Sequence, residues 1–484
     1  MKSTKCYLDI DRVDAGYVSP QERLSHACEF MIPLATEQLT EQASRCMECG
    51  VPFCHNAGCP LGNPIPEMNE LLTRGDWKSA NKILHAYNNF PEWTGRLCPA
   101  LCEAACVHQI NDLAVTVRQL ELATVEYAWQ QDWIKPEIPD SKTGKRIAVV
   151  GSGPAGLAAA QQLARAGHDV VVFERDTAPG GILRFGIPDF KLEKRFVDRR
   201  IEQLKVEGVS FELNVEIGTD MSSKYLIRCF DAICLTGGAT EPRDLHVPGR
   251  GADGIYFAME YLVANNHAVT ENRRSKIDAK DKTVVIIGGG DTGADCLGVA
   301  LRQGAKHVEQ IEIMPKPPEI KNLTTPWPMW PNILRTGTSH HEGGNRRWNV
   351  STQGFQLEQS HIKGLDCIQV EWRKGRPEEI SGSEFFIEAD IVLLSLGFLH
   401  PKHNTMLDQF GVTFDSRGNV KVDPFNSMTN VQGVFASGDM QSGASLVVRA
   451  IESGRRMAHH VDKYLMGRTS LPLMPPVLSK TSVR

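Results

Sequence analysis

The spacing of apolar residues changes character near residue 140. In residues 76–87 apolar side chains recur three or four positions apart, which is helical spacing, and residues 112–130 form a second helical candidate. Residues 134–145 are polar and contain two prolines, so they predict a linker. The pattern therefore predicts a mostly helical N-terminal domain over residues 1–140.

Beyond the linker, short apolar strands alternate with helices. Residues 146–150 and 169–174 predict strands on either side of a helix over 155–166, which together make a βαβ unit. A second unit of the same kind follows later in the chain. Its predicted elements, with those that end the chain, are the strands 283–287, 389–396 and 433–436 and the helices 294–302 and 444–465. This alternation predicts an α/β fold with two Rossmann-like units.

Charge and hydropathy exclude two classes of partner. The chain has 53 basic and 58 acidic residues, so no overall positive field exists to hold a nucleic acid. The best apolar run, residues 391–394, is far shorter than the roughly 20 residues that a membrane-spanning helix needs. The N-terminus lacks the apolar core of a signal peptide. We therefore expect a cytoplasmic protein that binds neither nucleic acid nor membrane.

A glycine-rich turn follows the first strand. Its candidate cofactor-binding residues are Gly151, Gly153, Pro154, Ala155 and Gly156. Glycines with this spacing allow a tight turn, close approach of the backbone to a pyrophosphate and close packing of helix on strand, and the helix N-terminus favours the anion. Glu174 ends the next strand, where a carboxylate can accept a hydrogen bond from a ribose hydroxyl. The turn predicts a dinucleotide site, and the alternative is an ordinary tight turn.

A second glycine-rich turn follows the strand at 283–287 and also opens a helix. Its candidate residues are Gly288, Gly290, Asp291, Thr292 and Gly293. Two such turns in one chain fit a protein that holds a flavin and a nicotinamide together. The late segment 433–439, which contains Gly438 and Asp439, resembles the second flavin motif of the pyridine-nucleotide disulfide reductase superfamily, in which the aspartate meets the ribityl–phosphate region. The alternative for this segment is a hairpin turn.

Cysteines are concentrated near the N-terminus. Nine of the 13 lie in the first 106 residues, and disulfides are rare in the reducing cytosol, so the cluster predicts a metal site. Seven of them form two closely spaced groups, Cys46, Cys49, Cys54 and Cys59, followed by Pro60, and Cys98, Cys102 and Cys106. This spacing favours two [4Fe–4S] clusters, which need eight ligands. One four-thiolate zinc site and buried structural thiols are the alternatives.

These features predict the organisation of the whole chain. We expect an α/β protein with an N-terminal helical iron–sulfur domain followed by two Rossmann-like dinucleotide-binding domains, the second inserted in the first. The predicted bounds are 1–140 for the iron–sulfur domain, 141–250 and 386–484 for the two parts of the FAD-binding domain, and 251–385 for the NAD(P)H-binding domain.

The motifs taken together resemble one family. The segments are RCMECGVPFC (45–54), NNFPEWTGRLCPALCEAAC (88–106), VVGSGPAGLAAA (149–160), GGILRFGIPDFKLEK (180–194), VIIGGGDTGADC (285–296), PWPMWP (326–331) and GVFASGD (433–439). Over nearly the whole chain they resemble the small (beta) subunit of NADPH-dependent glutamate synthase. The resemblance implies an enzyme that oxidises NADPH at FAD and passes electrons through two [4Fe–4S] clusters. The acceptor would be a large (alpha) subunit that makes L-glutamate from L-glutamine and 2-oxoglutarate, so the protein would be a hetero-oligomer.

The same resemblance, shared with the N-terminal part of dihydropyrimidine dehydrogenase, implies how ligands are divided between the clusters. Cys46, Cys49, Cys54 and Cys106 would hold one cluster, and Cys59, Cys98 and Cys102 would hold the other. Related proteins complete the second cluster with a carboxylate or amide about 15 residues after the last cysteine, which corresponds here to Glu121. The alternative for Glu121 is a solvated position on a helix surface. The motif at 180–194 adds Gly181 to the implied cofactor-binding residues.

The sequence leaves the choice between NADPH and NADH open. Glu312 lies 24 residues after Gly288, where an acid would bind a ribose 2′-hydroxyl and favour NADH. Lys316 could instead pair with a 2′-phosphate, and the resemblance favours NADPH.

Two other classes of function stay open. The chain could be the NAD(P)H-oxidising subunit of a dihydropyrimidine dehydrogenase-like or ferredoxin–NADP oxidoreductase complex, or a redox-inactive scaffold that keeps the fold. A disulfide reductase is disfavoured because no Cys-x-x-Cys lies near the flavin motifs. No residue is predicted to act as an acid or base, since hydride passes directly between bound cofactors.

Overall fold

The computed structural model describes residues 6–403 and 405–474 and contains a helical N-terminal part and two parallel sheets. The helices α1–α18 are Cys6–Asp9, Pro20–Arg23, Thr36–Ser44, Ile65–Thr73, Trp77–Tyr87, Pro91–Leu97, Leu101–Ala104, Val117–Gln130, Pro154–Arg165, Ile182–Phe185, Arg195–Val206, Ser223–Cys229, Ala258–Thr270, Asp291–Gln303, Thr338–Glu342, Thr405–Phe410, Asp439–Ser442 and Val447–Met466. The strands β1–β15 are Gly16–Tyr17, Met31–Ile32, Arg146–Val150, Asp169–Glu174, Val209–Leu213, Ala232–Leu235, Ile255–Phe257, Thr283–Ile287, His307–Ile311, Asn345–Arg347, Val350–Glu358, His361–Arg373, Arg376–Glu388, Ile391–Leu394 and Val434–Ala436.

The N-terminal part is built from short amphipathic helices, as the apolar spacing predicts. Helix α5 starts where the side chain of Asp76 accepts a hydrogen bond from the Ser79 N–H, and it buries the face that carries Trp77, Ala80 and Leu84. Its apolar core is continuous with that of the first sheet, because Leu84 and Trp93 belong to the same buried cluster as Leu157. The helical part is therefore packed directly on the domain that follows it.

The first parallel sheet has the strand order β15-β6-β3-β4-β5. Strand β15 comes from the end of the chain, so the second domain is inserted between β6 and β15, and the predicted arrangement of the two domains is confirmed. Helix α18 lies along α9 so closely that a Cβ at Gly454 would stand 2.2 Å from the Ala155 carbonyl oxygen. This contact holds the C-terminal helix against the helix that follows the first glycine-rich turn.

The second parallel sheet has the strand order β10-β9-β8-β14-β7, and strands β11–β13 form a separate antiparallel sheet that the sequence analysis did not predict. The predicted boundary at residue 386 assigned residues 391–394 to the FAD-binding domain, but β14 is hydrogen-bonded to β7 and β8 in the second sheet. A short run of apolar residues fits any buried parallel strand, so the sequence does not decide which sheet the strand joins. We propose that the second domain extends to the linker in which Phe398 pairs with Pro242.

Within residues 6–403 and 405–474, no helix is long and apolar enough to cross a membrane.

Candidate functional site

Four of the seven grouped cysteines surround one cavity in the helical part. Cys46, Cys49, Cys54 and Cys106 line a space of about 390 Å³, its opening to solvent included, whose other walls are mostly apolar. Cys46 and Cys49 follow the end of α3, and Cys54 opens a wide helical turn over Cys54–Gly58. Tertiary structure thus brings Cys106, which is far away in sequence, to the cysteines of the first group.

Arg45 explains why these two segments meet. Its guanidinium has no exposed surface and donates hydrogen bonds to the carbonyl oxygens of Ile10, Leu113 and Ala114 at 2.8–3.0 Å. It also pairs with Asp112 at 3.0 Å. The residue next to Cys46 therefore binds the chain that follows Cys106.

The remaining three cysteines and Glu121 line a second cavity of about 260 Å³, its opening to solvent included. Glu121 is 6% exposed, so the alternative of a solvated helix-surface glutamate is wrong. Its Oε1 accepts a hydrogen bond of 2.7 Å from the Asn63 amide. The lining also includes Val448 of α18, so this cavity borders the domain of the first sheet.

Close packing separates the two cavities. A Cβ at Gly58 would stand 2.7 Å from the Cys102 Cα and 3.0 Å from the Leu101 carbonyl oxygen, so only glycine fits between the turn and α7. Cys54 and Cys59 flank this contact, and they line different cavities. The motif Cys-x4-Cys is therefore divided between two sites by the turn itself.

The chemistry of the lining fits iron–sulfur clusters. Burial raises the pKa of Cys98 to about 11 and that of Cys59 to about 12, so these thiols need a metal to stabilise their thiolate forms. Burial also raises the pKa of Glu121 to about 7, although the Asn63 hydrogen bond acts in the opposite direction. Across the described residues, no three His, Cys, Asp or Glu side chains are placed to hold one metal ion. Thiols arranged around a space suit a multi-iron cluster better than a single zinc ion. The role of the seven cysteines and Glu121 as ligands stays a prediction.

The first glycine-rich turn has the shape of a dinucleotide cradle. Gly151 has a φ of +103°, and its Cβ would stand 2.8 Å from the Thr236 carbonyl oxygen, whereas a Cβ at Gly153 would meet no protein atom within 4 Å. The open space lies at the N-terminus of α9, where free N–H groups attract a pyrophosphate. Glu174 accepts a 3.0 Å hydrogen bond from the Ser152 N–H, which places its carboxylate beside the turn. These residues fit the pyrophosphate and ribose of FAD.

Two more predicted flavin residues approach the same turn. A Cβ at Gly181 would lie 3.0 Å from the Gly153 Cα, and a Cβ at Gly438 would lie 2.7 Å from the Ala155 Cβ. The Gly438 N–H donates to the Ser453 hydroxyl of α18. Burial raises the pKa of Asp439 to about 6, and its Oδ1 accepts a 2.7 Å hydrogen bond from Ser445. The structure therefore brings segments from three parts of the chain around one turn.

The second glycine-rich turn has the same combination of closely packed glycines and one glycine that faces open space. The Gly288 Cβ would stand 2.1 Å from the Ser395 carbonyl oxygen, but Gly290 faces open space at the N-terminus of α14, which Asp291 begins. Gly293 packs tightly, because its Cβ would lie 2.6 Å from the Gly288 carbonyl oxygen. Glu312 accepts hydrogen bonds from the Gly289 N–H at 2.6 Å and from the Met314 N–H at 3.0 Å.

Lys316 follows β9 closely and lies near Arg346 and the indole ring of Trp348. Its ammonium pairs with Glu319 at 3.1 Å and stands 5.8 Å from the centre of the Trp348 ring. The guanidinium of Arg346 stands 5.2 Å from the same ring. Sequence reasoning missed Arg346 and Trp348, because they belong to β10 and the loop after it and are brought to β9 only by sheet pairing.

Sequence reasoning also missed polar residues of the cysteine cavities. Asn69 lines the first cavity and Asn63 lines the second. The local signal that could have found them is that two asparagines interrupt a stretch that is otherwise mostly apolar. Trp327 of the PWPMWP segment donates its indole N–H to the Cys106 carbonyl oxygen at 3.2 Å and packs on Phe53. In the sequence this segment served only as a motif shared with the family. In the structure it covers the wall of the first cavity.

Comparison with known protein families agrees with the division of the chain into an N-terminal part with the cysteine cavities and a later part with the two glycine-rich turns. A family described as pyridine nucleotide-disulphide oxidoreductase matches residues 145–454, and one described as dihydropyrimidine dehydrogenase domain II, 4Fe-4S cluster, matches residues 23–133. The solved structure of Mycobacterium tuberculosis FprA in complex with NADPH is 18% identical and covers 68% of this chain and 87% of its own, with a TM-score of 0.52. It shares the fold. Fold and site define a flavin- and NAD(P)H-dependent oxidoreductase with an electron-transferring 4Fe–4S domain.

Curated relatives identify the particular family. The glutamate synthase [NADPH] small chain of Mycobacterium tuberculosis (strain H37Rv) is 51% identical over 443 residues, which are 90% of each chain. The glutamate synthase [NADH] of Schizosaccharomyces pombe is 41% identical over 96% of this chain but only 23% of its own length. The chain belongs to the family of glutamate synthase small chains.

Proposed function

We propose that this chain is the electron-input subunit of an NADPH-dependent glutamate synthase. It takes electrons from NADPH and delivers them to a large subunit that makes L-glutamate from L-glutamine and 2-oxoglutarate. The observation that carries this proposal is the position of the second cysteine cavity, whose lining contains Val448 of α18. Because α18 also contacts the first glycine-rich turn through Gly454, one helix borders both a flavin-type site and a cluster-type site.

The residues of each site have separate tasks. When bound, FAD takes a hydride from the nicotinamide and [4Fe–4S] clusters carry single electrons. The turn at Gly153 and the carboxylate of Glu174 hold the flavin nucleotide, and the turn at Gly290 holds the nicotinamide nucleotide. The two sets of ligands are Cys46, Cys49, Cys54 and Cys106 for one cluster and Cys59, Cys98, Cys102 and Glu121 for the other.

We propose NADPH as the electron donor, because two positively charged side chains lie close after β9 and in β10. Glu312 accepts backbone hydrogen bonds through both oxygens, as Glu174 does beside the first turn, so these bonds do not exclude a ribose 2′-hydroxyl at Glu312. Lys316 and Arg346 flank Trp348 nearby and supply the positive charge that a 2′-phosphate requires. The relative in Mycobacterium tuberculosis is named for NADPH and the one in Schizosaccharomyces pombe for NADH.

The partner and the location are also proposals. The Mycobacterium tuberculosis relative is named a small chain, and the matching part of the Schizosaccharomyces pombe protein is about a quarter of a longer chain. A separate large subunit in a hetero-oligomer is consistent with both facts. Closely grouped free thiols suit the reducing cytoplasm.

Anaerobic purification tests the proposal. The protein should contain FAD and about eight irons, four for each cluster. Alone it should reduce an artificial dye with NADPH without making glutamate, and adding the large subunit should restore glutamate formation from glutamine and 2-oxoglutarate. Absence of iron with about one zinc would refute the cluster proposal. Reduction of ferredoxin in place of the large subunit would favour the alternative ferredoxin–NADP oxidoreductase function.

A further inference from the structure

One buried amide group faces the first cysteine cavity without a partner. Asn69, in the middle of α4, has no exposed surface and lines the cavity beside Cys46 and Cys54. Neither its Nδ2 nor its Oδ1 has a hydrogen-bond partner of regular geometry among the residues that the structure describes. The amide nevertheless lies close enough to the Cys46 thiol to lower the pKa of that thiol, against the larger effect of burial, which raises it. An amide buried in this way costs folding free energy unless something else satisfies it.

The donor groups of three other polar side chains around the cavities already have acceptors. In the first cavity, His108 donates its Nε2–H to the Tyr7 carbonyl oxygen at 3.0 Å. In the second, Asn63 donates to Glu121 at 2.7 Å, and Asn88 donates to the Thr94 hydroxyl at 2.8 Å. Asn69 differs from these side chains because it lines the space that the thiols surround and its NH₂ group has no hydrogen-bond partner of regular geometry other than the neighbouring sulfur.

The chemistry of the cavity identifies the group that Asn69 can bind. Thiolate and sulfide sulfurs accept hydrogen bonds and do not donate them, so only the NH₂ end of the amide can be satisfied there. Hydrogen bonds to the sulfurs are one of the factors that set the reduction potential of an iron–sulfur cluster.

We propose that Asn69 donates an N–H hydrogen bond to a sulfur of the cluster held by Cys46, Cys49, Cys54 and Cys106 and thereby raises the reduction potential of that cluster. The inference rests on the proposed cluster in this cavity. Reduction adds one electron, and the proton stays on the Asn69 nitrogen. The donor binds the more negative, reduced form more strongly, which favours electron uptake.

The two cavities then differ in electron affinity. In the second cavity the amide of Asn63 is bound to a carboxylate, and Glu121 itself brings negative charge. The described lining of the first cavity contains no residue after Val117, whereas the second includes Val448. Asn69 therefore draws electrons toward the cavity that lies away from α18.

The test is a redox titration of the anaerobically purified holoprotein, followed by EPR. Asn69→Leu keeps the approximate shape and removes the donor. We expect unchanged FAD and iron content and a reduction equilibrium of one cluster about tenfold less favourable, which corresponds to about 59 mV for one electron. Asn81→Leu is the matched control, because Asn81 on α5 also has a buried, unpartnered Oδ1 but lines neither cavity. It should leave both potentials unchanged.

Asn69→Val is the second variant, for the case in which the larger leucine prevents cluster assembly. It also removes the amide and cannot donate a hydrogen bond, so the potential should fall about as far as in Asn69→Leu. An unchanged potential in either variant at full iron content would overturn the role of Asn69. A wild-type protein without iron would instead overturn the cluster proposal, so the two failures are distinguishable.

Discussion

Single residues distinguish the two cysteine cavities. The first is lined by four thiols, whereas the second is lined by three thiols and the buried carboxyl group of Glu121. A carboxylate is a harder ligand than a thiolate and is less suited to iron in a sulfur cluster. Its burial at 6% exposure nevertheless requires a partner, and Asn63 supplies only one hydrogen bond.

Replacing Glu121 with alanine should destabilise one cluster and spare the other. We expect iron to fall from about eight to about four per chain, with FAD content and dye reduction near normal, because the flavin site is separate. Electron delivery to the large subunit should fall much more than dye reduction. Iron analysis and EPR of the reduced protein measure this. Glu126→Ala is the control, since Glu126 is on the same helix but pairs with Arg96 and Arg199. Identical iron and spectra would leave the eighth ligand unidentified.

At the scale of elements, each glycine-rich turn combines glycines that pack with one that faces open space. Gly151 and Gly288 approach carbonyl oxygens of neighbouring strands, so they form the turn. Gly153 and Gly290 meet no protein atom within 4 Å and leave room in front of a helix N-terminus. A side chain at either open position should therefore block a ligand without disturbing the fold.

This difference predicts two separable defects. Gly153→Val should abolish FAD retention, and Gly290→Val should keep FAD but raise the KM for NADPH at least tenfold, because valine would occupy the space of the pyrophosphate. FAD content and steady-state dye reduction measure the two effects. Gly251→Val is the control, since Gly251 also meets nothing within 4 Å but lies outside both turns. An unchanged KM in Gly290→Val would show that the nicotinamide binds elsewhere.

Another contact between elements makes stability depend on pH. His85 of α5 and Glu92 of α6 both contact Arg200 of α11. Burial, with the nearby charge of Arg200, lowers the pKa of His85 to about 3. Burial alone would raise the pKa of Glu92, but the charge of Arg200 outweighs it and holds that pKa at about 2. Both residues therefore join the helical part to α11 in a fixed charge state at neutral pH.

Acid should weaken this contact through His85 first. The unfolded chain takes up a proton near pH 6.5, whereas the folded chain excludes it until about pH 3, so stability is fully present above pH 6.5 and falls below it. Between pH 7 and pH 5 we expect a loss of up to about 2 kcal/mol. His85→Gln should show a smaller fall in thermal midpoint over this range, and the exposed His361→Gln should behave as wild type. Equal acid sensitivity of His85→Gln and wild type would contradict the assignment.

For the whole molecule, the N-terminal segment links the helical part to the inserted domain. Phe30 belongs to the same apolar cluster as Phe190 and Leu297. Glu342, whose side chain has no exposed surface, pairs with Arg23 at 2.7 Å and with Arg302 at 2.6 Å. These ion pairs and the contact between Trp327 and Cys106 connect the inserted domain to the N-terminal part of the chain at two places.

Glu342→Ala should therefore destabilise the whole protein. It leaves two arginines without their partner in a buried setting, which costs about 3–5 kcal/mol. We expect a clear fall in the thermal midpoint of the holoprotein, measured by calorimetry. Glu319→Ala removes the exposed pair with Lys316, which contributes about 0–1 kcal/mol, and should leave the midpoint nearly unchanged. Equal midpoints for both variants would indicate that the domain is held by other contacts.

The sequence predicted features that depend on neighbours along the chain. Strands β3, β4 and β8 occur where predicted, because a short apolar run is a local pattern, and glycine-rich turns of local geometry follow β3 and β8. Most helix bounds differ by only one to three residues, although α8 begins at Val117 and not at residue 112. Strand β9 ends at Ile311, before Glu312, which instead caps the turn at Gly289.

Tertiary structure decided what depends on contacts between distant segments. Spacing alone could not divide the cysteines, because the close contact at Gly58 separates Cys54 from Cys59 and the hydrogen bonds of Arg45 bring Cys106 near Cys46. The burial of Glu121 was open for the same reason, since one helical position fits a surface or a cavity equally well. The sequence alone determined the two glycine-rich turns and the presence of seven closely spaced cysteines. Folding decided which side chains surround each cavity, because burial is a property of packing and not of local pattern.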